Sequence, residues 1–416
     1  MTAILAPKKI LIIGFVWPEP HSTAAGSRML QLLLFCKGNN YHITFASTAQ
    51  ESEFSMDLGA FGIMKVKIKL NDSGFDQFIQ ELDPNIVLFD RFLTEEQFGW
   101  RVAKHSPNAL RVLDTEDLHS LRSVRLEAQK NKKPFSIAAW KQAEMTKREI
   151  ASIYRCDLSL IISSYEMDLL LGEIKIDEKL LLHLPFMLDP IGESDQLRWL
   201  PFENRKDFIC IGNGKHTPNI DAIRWLKTEI WPMVRKQLPI INLTIYGAYL
   251  PESILQLHLP KDGFLVMGRA ANAKEVIGLA RVSLAPLRFG AGIKGKLVDA
   301  MQCGTPNVTT EIGVEGMHSK LPWSGKISND ADTFAKNAIA LYTNKEVWKK
   351  CQANGVTIIN QLYNRNELEG LLEQRINDTI NNLKEHRSSN FIGSMLMHHT
   401  AASTKFMAKW IEAKNQ

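Results

Sequence analysis

The amino-acid sequence predicts an α/β protein made of two Rossmann-like, doubly wound parallel-sheet domains. Three observations point there. Short apolar, β-branched runs alternate with helical stretches, the pattern of strands buried on both faces by crossover helices. The alternation is interrupted once, by the polar, aperiodic stretch Ile191–Lys206 containing Pro201, and then restarts. Finally, 416 residues is more than one ordinary domain holds. Hydrophobic residues make up 45% and charged residues 23%, a balance that can bury real cores and argues against disorder.

In the first half, Lys9–Val16 (KILIIGFV) reads as a strand, followed by a Pro/Ser/Gly loop and a Leu-rich helix over Arg28–Cys36. Strands at Tyr41–Ala46, Asn85–Phe89 and Leu110–Leu113 alternate with helices at Phe75–Leu82 and Glu95–Lys104. A basic segment, Arg122 to Lys133, lies next to Phe135 and Trp140 and reads either as a solvated face or as a docking surface for an acidic acceptor or membrane. Helix Glu144–Tyr154, strand Leu158–Ile162 and a short strand end at His183–Phe186 complete this half.

The second half repeats the pattern. Strands are expected at Phe208–Gly212, Leu243–Tyr246, Gly263–Met267 and Val282–Pro286, and helices at Asn219–Gln237, Ala273–Ala280 and Gly295–Gln302. Further helices are read at Lys345–Leu362, Glu367–Lys384 and Ser403–Lys414. The expected organisation is therefore an N-terminal acceptor-side domain over 1–190, a linker over 191–206, a C-terminal donor domain over 207–384 and a helical tail over 385–416 that packs back on the first domain. Two such sheets facing each other form a cleft at their strand carboxyl ends.

Composition narrows the functional classes. The net charge of +5 is too mild to demand nucleic acid, although it permits anionic ligands. The five cysteines are far apart and never form a CxxC pair, so neither a zinc site nor a disulfide framework is suggested. The N-terminus has no apolar core of signal-peptide length, and no run reaches the ~18 apolar residues of a membrane span. A cytoplasmic setting follows, with room for peripheral contact at the inner face of a membrane.

The chemistry concentrates in Ala285–Thr310 (APLRFGAGIKGKLVDAMQCGTPNVTT). A strand ends at Pro286, a loop carries Gly290, Gly292, Ile293 and Gly295 with Lys294 and Lys296, and a helix begins near Lys296. Glycines let backbone approach an anion, and a helix N-terminus offers N–H groups and positive dipole character. With two lysines added, the loop suits a diphosphate. It is neither a GxxxxGK[ST] P-loop nor a GxGxxG fingerprint. Asp299, one turn into the helix, could accept hydrogen bonds from two ribose hydroxyls.

Together with Gly212-Asn213, His216, Pro218-Asn219, Asp221-Ala222, Trp225-Leu226, Tyr246-Gly247, Gly268, Gly304 and Pro306, this segment resembles the C-terminal domain of GT-B-fold glycosyltransferases. It is most similar to their retaining, family-four-like branch. The resemblance implies two Rossmann-like domains across a cleft, a C-terminal crossover helix, a nucleoside-diphosphate-sugar donor, no cofactor and no metal. It also implies a Glu, seven residues and a second Glu; Asp299 matches the second, while the first falls at Gly290 or Ala291, so the donor sugar's identity does not carry over. A basic loop after the first C-terminal strand maps onto Gly212, Asn213, Lys215 and His216, with His216 equally able to cap the following helix.

In the N-terminal half, the loop Pro18–Ser27 contains Ala24, Ala25 and Gly26, whose backbone could lie against the sugar or β-phosphate. Leu113–Ser120 (LDTEDLHS) places Asp114, Glu116, Asp117 and His119 at a strand end. Relatives with this resemblance carry His-Asp there; Glu116 stands in the His position and Asp117 in the Asp position. Glu116 could bind sugar, position the acceptor or accept its proton. Asp90-Arg91 reads as an ion pair at another strand end, and Asp330-Ala331-Asp332 as a helix cap rather than a metal motif.

The expected reaction is retaining sugar transfer to a glycan, lipid-linked or protein acceptor, as in surface-glycan synthesis, with Lys294, Lys296 and backbone N–H groups stabilising the departing diphosphate. Glu116 and Asp117 are the candidate groups on the opposite wall. A nucleotide-sugar epimerase and a non-catalytic nucleotide-sugar-binding scaffold are the competing readings.

Overall fold

A computed structural model describes residues 7–398 together with Met407, Trp410 and Lys414. The first sheet contains β1 (Lys9–Gly14), β2 (His42–Ser47), β3 (Met64–Lys67), β4 (Ile86–Asp90), β5 (Leu110–Asp114), β6 (Leu158–Ile161) and β7 (Leu181–His183). Its order is β3-β2-β1-β4-β5-β6-β7, and every pairing is parallel. The second sheet contains β8 (Lys206–Ile211), β9 (Leu243–Tyr246), β10 (Phe264–Gly268), β11 (Ala280–Ala285), β12 (Asn307–Thr309) and β13 (Gly325–Ile327). It is also parallel, in the order β10-β9-β8-β11-β12-β13.

Strand runs such as LIIG and IVLFD are apolar without alternation because both faces are covered. Ile10 and Ile12 face a core with Leu32 and Phe35 of helix Ala24–Gly38. Leu11 and Ile13 face the opposite core, with Phe98, Leu121 and Trp140. The second sheet is packed mainly around Phe208, Trp231, Phe264 and Trp348. In each sheet the strand order reverses once, between β1 and β4 and between β8 and β11. Loops leaving the carboxyl ends of such neighbours diverge and leave a crevice, so the segments after β1, β4, β8 and β11 are placed to build a site.

Several elements differ from expectation. β3 (MKVK) and β13 were not expected: the first is a largely exposed edge strand rich in lysine and the second is three residues long, so neither shows an apolar run. The strand expected at His183–Phe186 lies at Leu181–His183, ahead of Pro185. The helix expected over Asn219–Gln237 begins at Thr217 and is divided by a π turn, Leu226–Ile230, just ahead of Pro232, which has no N–H to continue the regular ladder. The expected linker is not featureless, since it holds helix Glu193–Leu197 and the buried Arg205.

The return to the first domain starts earlier than the expected boundary at 384/385. Helix Arg365–Asn381 puts Leu372 and Ile376 into the core of the first sheet. Two chain crossings meet there, with Leu188 N–H donating to Tyr363 O at 2.7 Å and Arg365 N–H donating to Leu188 O at 2.8 Å. Helices Leu383–Ser389 and Phe391–Met397 continue over the same domain. Arg387 donates to both carboxylate oxygens of buried Asp157, each at 2.7 Å. The tail helix expected over 403–414 falls outside the described residues, apart from Met407 and Trp410 and Lys414. Leu372→Ala should lower unfolding stability by about 2–5 kcal/mol through lost transfer energy and a residual cavity, a change that urea melts resolve.

Candidate active site

The carboxyl edges of the two sheets meet along one boundary, and the glycine loop is where they touch. Gly292 has φ +62°, and a Cβ there would lie 2.7 Å from Asp117 Cβ of the first domain. A Cβ at Gly295 would lie 2.8 Å from Ala24 Cβ. Both positions therefore require glycine, one for its backbone conformation and both for close approach. The loop is also bonded across the boundary: Gly292 N–H donates to Glu166 Oε1 at 2.9 Å, and Gly290 O accepts from Arg125 at 2.8 Å.

Lys294 occupies the N-cap position of helix Gly295–Gln302, and no side chain among the described residues caps that helix. The ammonium is buried and donates to Gly292 O at 2.7 Å. Burial lowers its pKa to about 8 despite the nearby Glu315, Glu166 and Asp117. Lys296 points to the other side of the loop and donates to Asn219 Oδ1 at 2.6 Å. A Cβ on Gly212 would lie 2.7 Å from that ammonium, so the turn after β8 and the lysine after β11 converge at the switch point. Burial also lowers the pKa of Lys296. The arrangement places one cation on each side of the loop at a helix N-terminus, groups that can bind an anion.

The turn after β8 is held by Asn219 Nδ2, which donates to Asn213 O at 2.8 Å. Asn213 in turn donates to Ser22 O at 3.2 Å, again across the boundary. His216 is the N-cap residue of helix Thr217–Trp225 but makes no side-chain cap bond, which leaves the imidazole to the cleft. Desolvation, then Arg122, lower its pKa. Lys215 rests its ammonium 3.5 Å from the centre of the Tyr249 ring. Ile293 is buried in the apolar cluster behind the loop, with Leu297 and Phe186. Asp299 lies one turn into the helix, its pKa raised to about 6 by burial and held back by Lys274.

On the opposite wall, Ala25 sits in the first turn of helix Ala24–Gly38. Gly26 corrects the expectation of a ligand-facing backbone: its N–H is taken by Thr23 Oγ1 at 2.9 Å, and any Cβ would overlap the Glu19 backbone. Its glycine serves the loop's own turn.

The ends of β4 and β5 carry two left-handed residues, Arg91 (φ +73°) and Glu116 (φ +63°). Asp90 and Asp114 lie opposite each other in the sheet register, so these two turns are neighbours. Asp114 is fully buried and paired with Arg28 Nη2 at 2.8 Å. Arg91 Nε stands 3.5 Å from Asp90 Oδ1, the expected ion pair. Glu116 Oε1 is buried with no hydrogen-bond partner among the described residues. Burial, then the charges of Asp114 and Asp90, push its pKa well up, which favours the neutral carboxyl. Asp117 is the reverse case. Burial opposes its charge, but Arg122, His119 and His216 outweigh it and hold its pKa below the usual range. Two adjacent carboxyl groups are thus shifted in opposite directions.

Sequence reasoning singled out neither Glu166 nor Glu315, and it gave Arg125 and Asn219 no role in the loop, because their partners are distant in sequence. The basic segment divides: Arg122 pairs with Asp117 and Arg125 is 5% exposed, so neither forms an open docking face, while Lys130, Lys132 and Lys133 are exposed, in line with the solvated-face reading. Asp330 caps its helix through Thr333 N–H at 2.8 Å, as expected.

Two facing Rossmann-like domains with a cross-boundary site define the GT-B fold. Residues 205–344 match the family described as Glycosyl transferases group 1. Among solved structures, sucrose-phosphate synthase from Thermosynechococcus elongatus is similar with a TM-score of 0.64 at 16% identity, covering 88% of this chain and 98% of that one. HepE of Anabaena, in complex with UDP and glucose, is similar with a TM-score of 0.64 at 13% identity, covering 89% and 99%. A curated Klebsiella pneumoniae relative, described as an uncharacterized 44.6 kDa protein in cps region, is 28% identical over 164 residues. That match spans 37% of this chain and 42% of the relative.

The raised pKa of Asp299 makes a signed prediction. A folded value of about 6 against an ordinary 3.8 means that the native state holds the proton more tightly, so Asp299 costs stability as pH rises from 3.8 through 6. Asp299→Asn should therefore melt a few degrees higher than the parent at pH 7.5, with the difference shrinking toward pH 4. Thermal melts of the ligand-free proteins check this; equal melting temperatures at pH 7.5 would contradict it.

Proposed function

We propose that the protein is a glycosyltransferase that moves a sugar from a nucleoside-diphosphate sugar to an acceptor hydroxyl, with retention and without a metal or cofactor. The observation that carries the reading is the pair Lys294 and Lys296, which flank the glycine loop at the N-terminus of helix Gly295–Gln302, within the segment that matches Glycosyl transferases group 1. The bond from the sugar's anomeric carbon to the β-phosphate oxygen breaks, and a bond from that carbon to the acceptor oxygen forms. The acceptor's proton passes to the leaving diphosphate. Negative charge grows on that diphosphate, and donors already aimed at it lower the barrier without reorganisation. The two lysines supply the positive charge that a divalent ion would otherwise bring.

Asp299 is positioned for the ribose hydroxyls, and Gly212, Asn213 and Lys215 shape the turn beside the diphosphate. Ala25 lies on the facing wall. Glu116, whose Oε1 has no hydrogen-bond partner among the described residues, faces a sugar or acceptor oxygen, while Asp117 orders Arg122 and His119 beside it. The acceptor is a glycan, a lipid-linked glycan or a protein, approached from the first domain. Surface-glycan synthesis in the cytoplasm, with contact at the inner membrane face, is the setting we favour. No helix among the described residues is long and apolar enough to cross a membrane.

A melting-temperature panel of UDP-, GDP- and ADP-sugars with EDTA present tests the donor site, since a ligand bound only by the native state stabilises it. UDP-glucose is the first probe, because HepE is solved with UDP and glucose. At least one donor should raise the melting temperature, and Lys294→Ala or Lys296→Ala, still folded, should abolish the rise. No shift with any nucleotide sugar would defeat the proposal. Donor affinity should also fall as pH rises through about 8, where free Lys294 loses its proton; calorimetric titration at pH 7 and 9 reads this, and unchanged affinity would remove Lys294 from diphosphate binding.

A further inference from the structure

Arg125 projects from helix His119–Lys130 of the first domain and ends inside the second. Its guanidinium lies between the rings of Phe135 and Tyr165, 5.1 and 5.2 Å from their centres. It donates a two-pronged pair of hydrogen bonds to Glu315, at 2.7 and 2.8 Å, and a third at 2.8 Å to Gly290 O. Only 5% of the side chain remains exposed. Beside it, Glu166 accepts from Leu118 N–H of its own domain at 3.0 Å and from Gly292 N–H of the other at 2.9 Å.

These contacts share a target. Arg125 holds the carbonyl of Gly290, Glu166 holds the N–H of Gly292, and Lys294 bonds back to Gly292 O at 2.7 Å. The backbone that aims the Lys294 ammonium is therefore shaped by side chains 126 and 165 residues earlier in the chain. A glycine loop has little rigidity of its own, so without this clasp its conformation is underdetermined.

We infer that Arg125 is a positioning residue: through Gly290 and Glu315 it fixes the donor loop in its reacting shape only when the two domains are closed. The inference rests on the donor-site reading above. A bidentate Arg–carboxylate pair is directional. Burying it costs desolvation that roughly offsets the attraction, so such a contact can reopen in each catalytic cycle. Closing the domains forms the clasp, the clasp orders the loop, and the ordered loop presents Lys294 to the departing phosphate. Because Lys294 both holds the diphosphate and stabilises its departure in the reading above, losing the clasp should lower kcat/KM for the donor.

Hydrogen–deuterium exchange on the full-length protein, parent against Arg125→Met, Arg125→Lys and Glu315→Gln, is the direct test. Exchange in peptides spanning 288–296 should speed up at least tenfold in Arg125→Met and Glu315→Gln, with strands of the second sheet unchanged. Arg125→Lys, which keeps charge and loses the fork, should fall between. Equal protection of 288–296 in all four proteins would overturn the inference, as would general loss of protection, which would make Arg125 a plain structural residue. In parallel, Arg125→Met should consume UDP-glucose with kcat/KM at least tenfold below the parent, and Arg125→Lys should fall between. A parent that neither binds nor consumes any nucleotide sugar would sink the donor-site reading alone, because the exchange result stands without a ligand.

Discussion

Two parallel sheets that present their carboxyl edges to each other can share a site only if their backbones come close, and here that approach is made by atoms that are missing. Gly292 leaves room for Asp117 and Gly295 leaves room for Ala24. A side chain at either position would push the second domain's loop off the first and carry Lys294 with it. The rest of the site depends on this closeness. Glu166 can reach Gly292 N–H, Arg125 can reach Gly290 O, and Asn213 can reach Ser22 O because the boundary is tight.

The boundary also gathers charges that folding alone would avoid. Asp90, Asp114, Glu116, Asp117, Arg28, Arg91, Arg122 and Arg125 cluster at the end of the first sheet and the face it presents. Some are fully paired, as in Arg28–Asp114. Others are left in conflict, as with Glu116, on a left-handed backbone with its Oε1 unpaired among the described residues. Buried groups with displaced protonation and strained backbone cost stability, and their concentration at one place is the physical signature of a working site. Asp299 and Lys294 show the same tension on the other side of the boundary, each made less willing to carry its charge by burial. In the proposed complex a diphosphate would give Lys294 an anionic partner, and ribose hydroxyls would give Asp299 hydrogen-bond donors.

Much of this was legible in the sequence, for local reasons. Buried parallel strands announce themselves as uninterrupted apolar runs, so most strands and both domains could be read. The phosphate loop is one contiguous stretch of glycines and lysines between a strand and a helix, and Lys294, Lys296 and Gly292 lie where that pattern placed them. Edge strands β3 and β13 escaped because half-exposed or three-residue strands carry no apolar run. The crossover helix was assigned to the wrong domain because amphipathicity reveals that a face is buried without revealing against what. Arg125 reads as one cation in a basic run; only the fold shows that Glu315 waits for it across the boundary. Gly26 misled for the converse reason, since a glycine needed by its own turn looks the same in sequence as one that admits a ligand.

The central claim is that a donor's diphosphate lies between Lys294, Lys296 and the N-terminus of helix Gly295–Gln302. A crystal structure with an intact or non-hydrolysable UDP-sugar tests it most directly. Phosphate oxygens within hydrogen-bond distance of both ammonium groups, with the ribose against Asp299, are the predicted result. A nucleotide bound elsewhere, or a diphosphate that touches neither lysine, would contradict it.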